Sequence, residues 1–403
     1  MKKIRVLYGQ AVYGNKEINS SIKVLKNNSY NLIDGPAVKR LESRVAKIFG
    51  KKYGLMVNSG SSANLLAIAS LSLKKGSEII TPTLTFSTTV APIYQLGFKP
   101  YFVDVGRNDF IADVKQIEQS ITKKTSAIIV PNLLGNIANW KKINKIAKKH
   151  KLKLIEDSAD TIGYKFNGKN LGQYSDVTTN SMYASHIITG AGFGGIACFN
   201  DYKLYTKAKL LRGWGRSSAT FNESEGIKFR FNTKVDGISY DGKYIFSALG
   251  YNFLPSEISA AFALEQLKKL NRNIKIRINN FSYLKNFFSK YGNFFELPNE
   301  SKGIETGWLA YPLLLKDNIS FNRKDLQIYL EKNAIQTRTI FTGNILRQPV
   351  MKDLIYKKHP RSERNANYVM RNGILLGCHH GLKLLHLKYM TSKIKDFIDQ
   401  NTK

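Results

Sequence analysis

The chain has 403 residues, 43% hydrophobic and 23% charged, a composition that excludes intrinsic disorder and leads us to expect two domains or one with an appendage. Its two cysteines, Cys198 and Cys378, exclude a disulfide framework, a four-thiolate zinc site and a four-cysteine iron–sulfur cluster. With 62 basic against 29 acidic residues the formal charge is +33, but the lysines are scattered in short clusters such as Lys141-Lys142 and Lys357-Lys358. We read that excess as attraction for an anionic small substrate, with no nucleic-acid partner expected. No apolar run reaches the ~20 residues of a membrane helix, and Met1-Lys2-Lys3 leads into no signal-peptide core. A cytoplasmic protein without membrane contact is expected.

From residue 50 short apolar runs alternate with helical patterns. Strands are expected at Gly54–Val57, Glu78–Ile80, Tyr101–Val105, Ala127–Val130, Lys153–Glu156, Val177–Ser181 and Gly195–Phe199. Amphipathic helices are expected between them at Ser62–Leu73, Val114–Ser120 and Trp140–Lys149. That alternation means a mostly parallel sheet covered by helices on both faces, an α/β fold. Residues 212–250 break the pattern with Gly, Ser, Asn and Asp. Beyond them we expect helices over 256–270 and 276–290, then a strand at 308–315 and a helix at 323–332. A strand at 336–340 and a closing helix from Thr391 complete the prediction. The expected partition is a large domain over 1–250, including the irregular excursion, and a smaller C-terminal α/β domain over 251–403.

In open α/β sheets ligands bind where the strands end, so those segments are read together. Asn58-Ser59-Gly60-Ser61-Ser62-Ala63-Asn64 opens a helix with small residues, which makes either a phosphate cradle or a plain serine-capped turn. Phe86 offers a flat ring face or a core side chain. Asp157 ends its strand as a partner for a protonated ring nitrogen or as a helix cap. Ser181 leads to His186 through Met182-Tyr183-Ala184-Ser185, and the glycines after it precede a strand, unlike a dinucleotide fingerprint. His379-His380 lacks the third ligand of a recognisable metal spacing. A phosphate cradle, a stacking ring, a ring-nitrogen carboxylate and a base at one sheet edge fit pyridoxal phosphate. The Schiff-base lysine is missing.

Leu32-Ile33-Asp34-Gly35-Pro36, Val57 to Leu66, Glu156-Asp157 and Gly250-Tyr251-Asn252 resemble the DegT/DnrJ/EryC1/StrS family, over about Tyr8 to Leu385. These are fold-type-I, aspartate aminotransferase-like enzymes of pyridoxal phosphate that act on nucleotide-linked keto sugars. Leu134-Gly135-Asn136, Trp214-Gly215-Arg216 and Thr337 to Asn344, continuing to Arg347-Gln348-Pro349, resemble its sugar 3-dehydratase branch. His186 stands where the aminotransferases have the cofactor lysine, and Asp160 where they usually have Gln. Imidazole cannot hold the cofactor covalently, so the cofactor can serve as free pyridoxamine phosphate, with His186 moving the proton at C4′. Ser217-Ser218-Ala219-Thr220 replaces the cysteines of the cluster-bearing subgroup, so no iron–sulfur cluster is expected.

The resemblance implies C3 dehydration of a nucleotide-linked 4-keto-6-deoxyhexose, with the amine form regenerated by an amino acid such as glutamate, for surface polysaccharide. It implies His186 and Asp157 as the catalytic pair, with Gly60, Ser61 and Ser181 at the phosphate and Phe86 on the ring. Asp160 is expected near the cofactor hydroxyl, and Asn252 at the phosphate across a homodimer interface. Arg338 and Asn344 are expected at the substrate. The sequence departs from the family pattern at Ile187, at Gly192 and at His379-His380. The rival readings are an aminotransferase using another lysine, such as Lys165 or Lys169, and a non-catalytic homologue.

Overall fold

The computed structural model describes residues 4–27, 32–221, 225–304 and 306–402. Its centre is an eight-stranded sheet in the spatial order 53–57, 195–199, 177–181, 153–157, 125–131, 78–82, 99–103 and 357–358. Gly195–Phe199 runs antiparallel to both of its neighbours, and every other pairing in the sheet is parallel. The strands Val177–Ser181 and Gly195–Phe199 are buried throughout, as the covering of both sheet faces by helices requires. All seven strands expected from the alternation are present, within two residues at each end. One geometric result matters for function: the other seven strands end at the same edge, where Gly195–Phe199 begins.

The C-terminal residues build a four-stranded antiparallel sheet in the order 295–296, 311–315, 373–376 and 337–338. It has its own core of Phe281, Phe288, Trp308, Tyr311, Leu326 and Ile394. The helix expected over 256–270 spans Glu257–Leu267 and packs into the core beneath the large sheet through Ala260, Ala263 and Leu264. Helix Glu257–Leu267 thus packs with the core of the large sheet. That helix also does a local job for the large unit. Gly35 gives helix Pro36–Ile48 no side-chain cap, and the Glu257 carboxylate accepts from the Ala37 and Val38 amides at 2.5 and 3.0 Å instead.

Other boundaries differ from the expectation for identifiable reasons. The strand expected from 308 starts at Tyr311, because the carbonyls of Trp308 and Leu309 accept from Arg277 at 3.2 and 2.9 Å. The strand expected over 336–340 is only Thr337–Arg338, since a turn follows. The closing helix starts at Leu384, seven residues before the expected Thr391, with Leu384 and Leu385 exposed and so outside any apolar stripe. No described helix is long and apolar enough to cross a membrane.

Candidate active site

The edge where the strands end gathers most of the residues singled out above. Ser59 caps helix Gly60–Ser70 by accepting from the Ser62 amide at 3.1 Å. The amides at the start of that helix have no partner within it and carry its positive end. Ser181 closes against this turn, so that a Cβ on Gly60 would lie 2.7 Å from Ser181 Cβ and 3.0 Å from its Oγ. Only glycine lets the two segments form this cradle, and Ser61 is exposed beside it.

Asp157 ends the strand Lys153–Asp157 and is buried. Its Oδ2 accepts from Asn64 Nδ2 and Thr89 Oγ1, both at 2.8 Å, and its Oδ1 from the Ala159 amide at 3.1 Å. Burial pushes this carboxyl above the ordinary carboxylate range, and among the described residues no cation pairs with it. A buried carboxylate with three neutral donors and no counter-charge suits a cationic ring nitrogen. Phe86 stands on the next loop, 52% exposed, which places it outside the core.

His186 lies in the loop joining Ser181 to Gly194. Its Nδ1 sits 3.3 Å from the Ser181 carbonyl, which can only accept, so Nδ1 carries the proton and Nε2 keeps its lone pair. Nε2 is 3.9 Å from Asp160 Oδ1, beyond hydrogen-bond reach. Burial pushes His186 down to about 4, with a smaller push from Arg277. Asp160 accepts from the Leu134 amide at 2.8 Å, and burial raises its carboxyl to about 7. The imidazole is therefore neutral near pH 7, with its basic nitrogen free.

The remaining expectations divide. Arg338 is exposed and lies 5.6 Å from the Tyr8 ring, which leaves its guanidinium accessible. Asn344 is fully buried, and its amide donates to Glu363 and Asn367 at 3.0 and 2.8 Å. Its oxygen accepts from the Leu346 amide at 3.0 Å, so the side chain organises its own loop. Asn252 is exposed and forms an antiparallel bridge with Gly213. Ile187 is buried in the core. Lys165 and Lys169 are exposed on a small hairpin. Buried Lys51 donates to the carbonyls of Ser175 and Asp176, at the opposite end of the strand from Ser181.

Sequence reasoning missed Arg277. Arg277 is fully buried in helix Leu270–Phe288 and donates to His380 Nδ1 at 3.2 Å. His380 thus carries its proton on Nε2, which has no partner. His379 donates to the Leu7 carbonyl at 3.1 Å, and no metal-binding group occurs among the described residues. A basic residue on the apolar side of a helix was the only available signal for Arg277.

These features define the site of a fold-type-I enzyme of pyridoxal phosphate. The chain belongs to the DegT/DnrJ/EryC1/StrS aminotransferase family, whose model matches residues 12–395. It is 35% identical over 371 residues to the GDP-4-keto-6-deoxy-D-mannose 3-dehydratase of Escherichia coli O55:H7, covering 90% of this chain and 92% of that one. It is 34% identical to the lipopolysaccharide biosynthesis protein RfbH of Salmonella typhimurium, covering 89% of this chain and 84% of that one. Among solved structures it is similar, with a TM-score of 0.85 and 32% identity, to a GDP-4-keto-6-deoxymannose-3-dehydratase with a trapped PLP-glutamate geminal diamine. That match covers 96% of this chain and 99% of the other.

Proposed function

We propose that this protein removes the C3 hydroxyl of a nucleotide-linked 4-keto-6-deoxyhexose, using pyridoxal phosphate in its amine form. The observation that carries the reading is the neutral His186 imidazole, with a free Nε2. The residues fit the cofactor. The Gly60–Ser181 cradle and the helix N-terminus suit its phosphate, the uncompensated Asp157 its ring nitrogen, and exposed Phe86 its ring face. When bound, the cofactor supplies an amine for the sugar ketone and a ring that withdraws electrons.

The protein's own share is positioning and proton transfer. Asp157 keeps the ring nitrogen protonated through a charge-assisted bond in a dry site. His186 Nε2 takes the proton at C4′ and returns one to the departing C3 hydroxyl. Glutamate, the amino acid in the adduct of the similar structure, is the proposed reductant. In the balance, glutamate and the sugar give 2-oxoglutarate, ammonia and the 3-deoxy sugar. The water consumed in releasing ammonia equals the water formed at C3.

The working unit we propose is a homodimer. Ile227, Ile238 and Leu249 are 78%, 67% and 97% exposed on the excursion over 212–250, beside Asn252. A second copy of the chain would cover these residues and receive Asn252 at its phosphate cradle. Two buried free thiols, Cys198 and Cys378, suit a reducing cytoplasm. The relatives' names point to lipopolysaccharide as the destination of the product.

The experiment is incubation with pyridoxal phosphate, glutamate and GDP-4-keto-6-deoxymannose, with the sugar product weighed. Loss of one oxygen, with 2-oxoglutarate and ammonia released, is expected, and His186→Asn should lower the rate about 10²–10⁴-fold. A product that gains an amino group in place of the ketone overturns the reading in favour of an aminotransferase.

A further inference from the structure

The turn Ile340–Gly343 is where the C-terminal unit meets the cofactor side of the large sheet. The Gly343 amide donates to the Ile340 carbonyl at 2.8 Å, closing four residues. The first central residue is Phe341 at φ +43°, a backbone region in which turns favour glycine. Gly343 is seated tightly, since a Cβ there would lie 2.6 Å from Met370 Cβ. A phenylalanine persists at positive φ only where its surroundings hold it.

Those surroundings are the loop that carries Phe86. The Ile345 amide donates to the Thr83 carbonyl at 3.0 Å, and Thr342 Oγ1 to the Thr85 carbonyl at 2.6 Å. Between these ties the Phe341 ring meets the Phe86 ring edge-on, with centroids 5.9 Å apart and planes at 75°. Phe86 has half its surface in solvent, and Phe341 packs on the C-terminal core. One ring is anchored and the other is free to turn, and they touch.

We propose that Phe341 is a positioning residue whose ring edge holds Phe86 in the orientation that stacks on the cofactor ring, thereby setting cofactor affinity. The inference rests on the proposed use of pyridoxal phosphate. A half-exposed phenylalanine samples several rotamers, and a ligand binds only the fraction already turned correctly. An edge-to-face pair biases that fraction by about two- to tenfold. The turn geometry has the same sense, because glycine at 341 would relax the backbone while deleting the ring.

The test is titration of the apoprotein with pyridoxal phosphate, read by absorbance and by the induced circular dichroism of the bound cofactor. Thermal melting is recorded alongside. Phe341→Gly and Phe341→Leu should each weaken binding about two- to tenfold and diminish the induced signal, with little change in melting of the Gly variant. Phe341→Tyr, which keeps a ring edge, should restore both readouts. The Phe86→Ala/Phe341→Leu double variant should bind no more weakly than Phe86→Ala alone. Wild-type affinity in the Leu variant, or a full additive loss in the double variant, overturns the proposal. Failure of the wild-type protein to bind pyridoxal phosphate would instead overturn the functional reading beneath it.

Discussion

Arg212 and Arg277 are both buried, but one sits among carboxylates and the other among neutral acceptors. Arg212, at the end of its helix, donates to Asp34 at 2.5 Å, to Glu42 at 3.2 Å and to the Met56 carbonyl at 2.8 Å. It ties the Asp34-Gly35-Pro36 segment and helix Pro36–Ile48 onto the first strand, and its charge is met on the spot. Arg277 reaches His380 and two carbonyls, and among the described residues no carboxylate pairs with it. Its charge extends to His186, His379 and His380 and favours the neutral form of each, adding to the effect of burial. The difference separates an ionic knot that holds the fold from a cation that tunes the site.

The comparison can be broken first at the knot. Arg212→Met should cost about 3 kcal/mol of unfolding free energy by chemical denaturation, because it strands buried Glu42. Burial already holds Glu42 up to about 7, so its carboxyl takes a proton instead of remaining an unpaired ion. That relief keeps the loss near the lower end of the range for broken buried pairs. A loss under about 1 kcal/mol would show that the knot contributes little.

The second prediction concerns acid and the histidines of the site. His380 is pushed down to about 3 in the folded chain, chiefly by burial, against an unfolded value of about 6.5. As pH falls from 6.5, the unfolded chain gains a proton that the native His380 refuses, so this group withdraws stability. His186 and His379, pushed down to about 4, act in the same sense. Asp160, held up to about 7, acts oppositely, since its native carboxyl protonates first. Comparing His380→Asn with wild type isolates one group. Between pH 6 and 4 the stability of the wild type should fall relative to the variant by about 1.4 kcal/mol per pH unit. Parallel pH curves would show that His380 is not held neutral by the fold.

The smallest effect sharpens the role of Arg277. Its push on His186 is a lesser cause than burial. Arg277→Met should therefore move the acid limb of the kcat/KM profile modestly to higher pH, leaving a smaller neutral fraction of the base at pH 5. An unmoved limb with lowered activity at every pH would assign Arg277 to packing alone.

How much of this was legible depended on the range of the interactions. Asp157, Ser181 and His186 could be read together because short strands place their ends at one edge, a consequence of local pattern and of parallel pairing. For Asn344 the motif alone was legible, while its three partners lie partly on a helix some 20 residues away. Phe341 was invisible as a site residue, since its meaning comes from a ring 255 positions earlier in the chain.

The amino-acid sequence by itself determined the alternating strands and helices and the order of the segments that end at the sheet edge. Hydrophobic periodicity, small-residue turns and residue identity act over a few neighbours, so they can be read without coordinates. Only the tertiary structure decided that His186 keeps its proton on Nδ1, and that the buried Asp157 carboxyl is held by Asn64, Thr89 and the Ala159 amide. It also decided that Glu257 caps a helix 220 residues away. Proton placement, desolvation and capping at a distance depend on which groups share a dry volume, and folding alone brings those groups together.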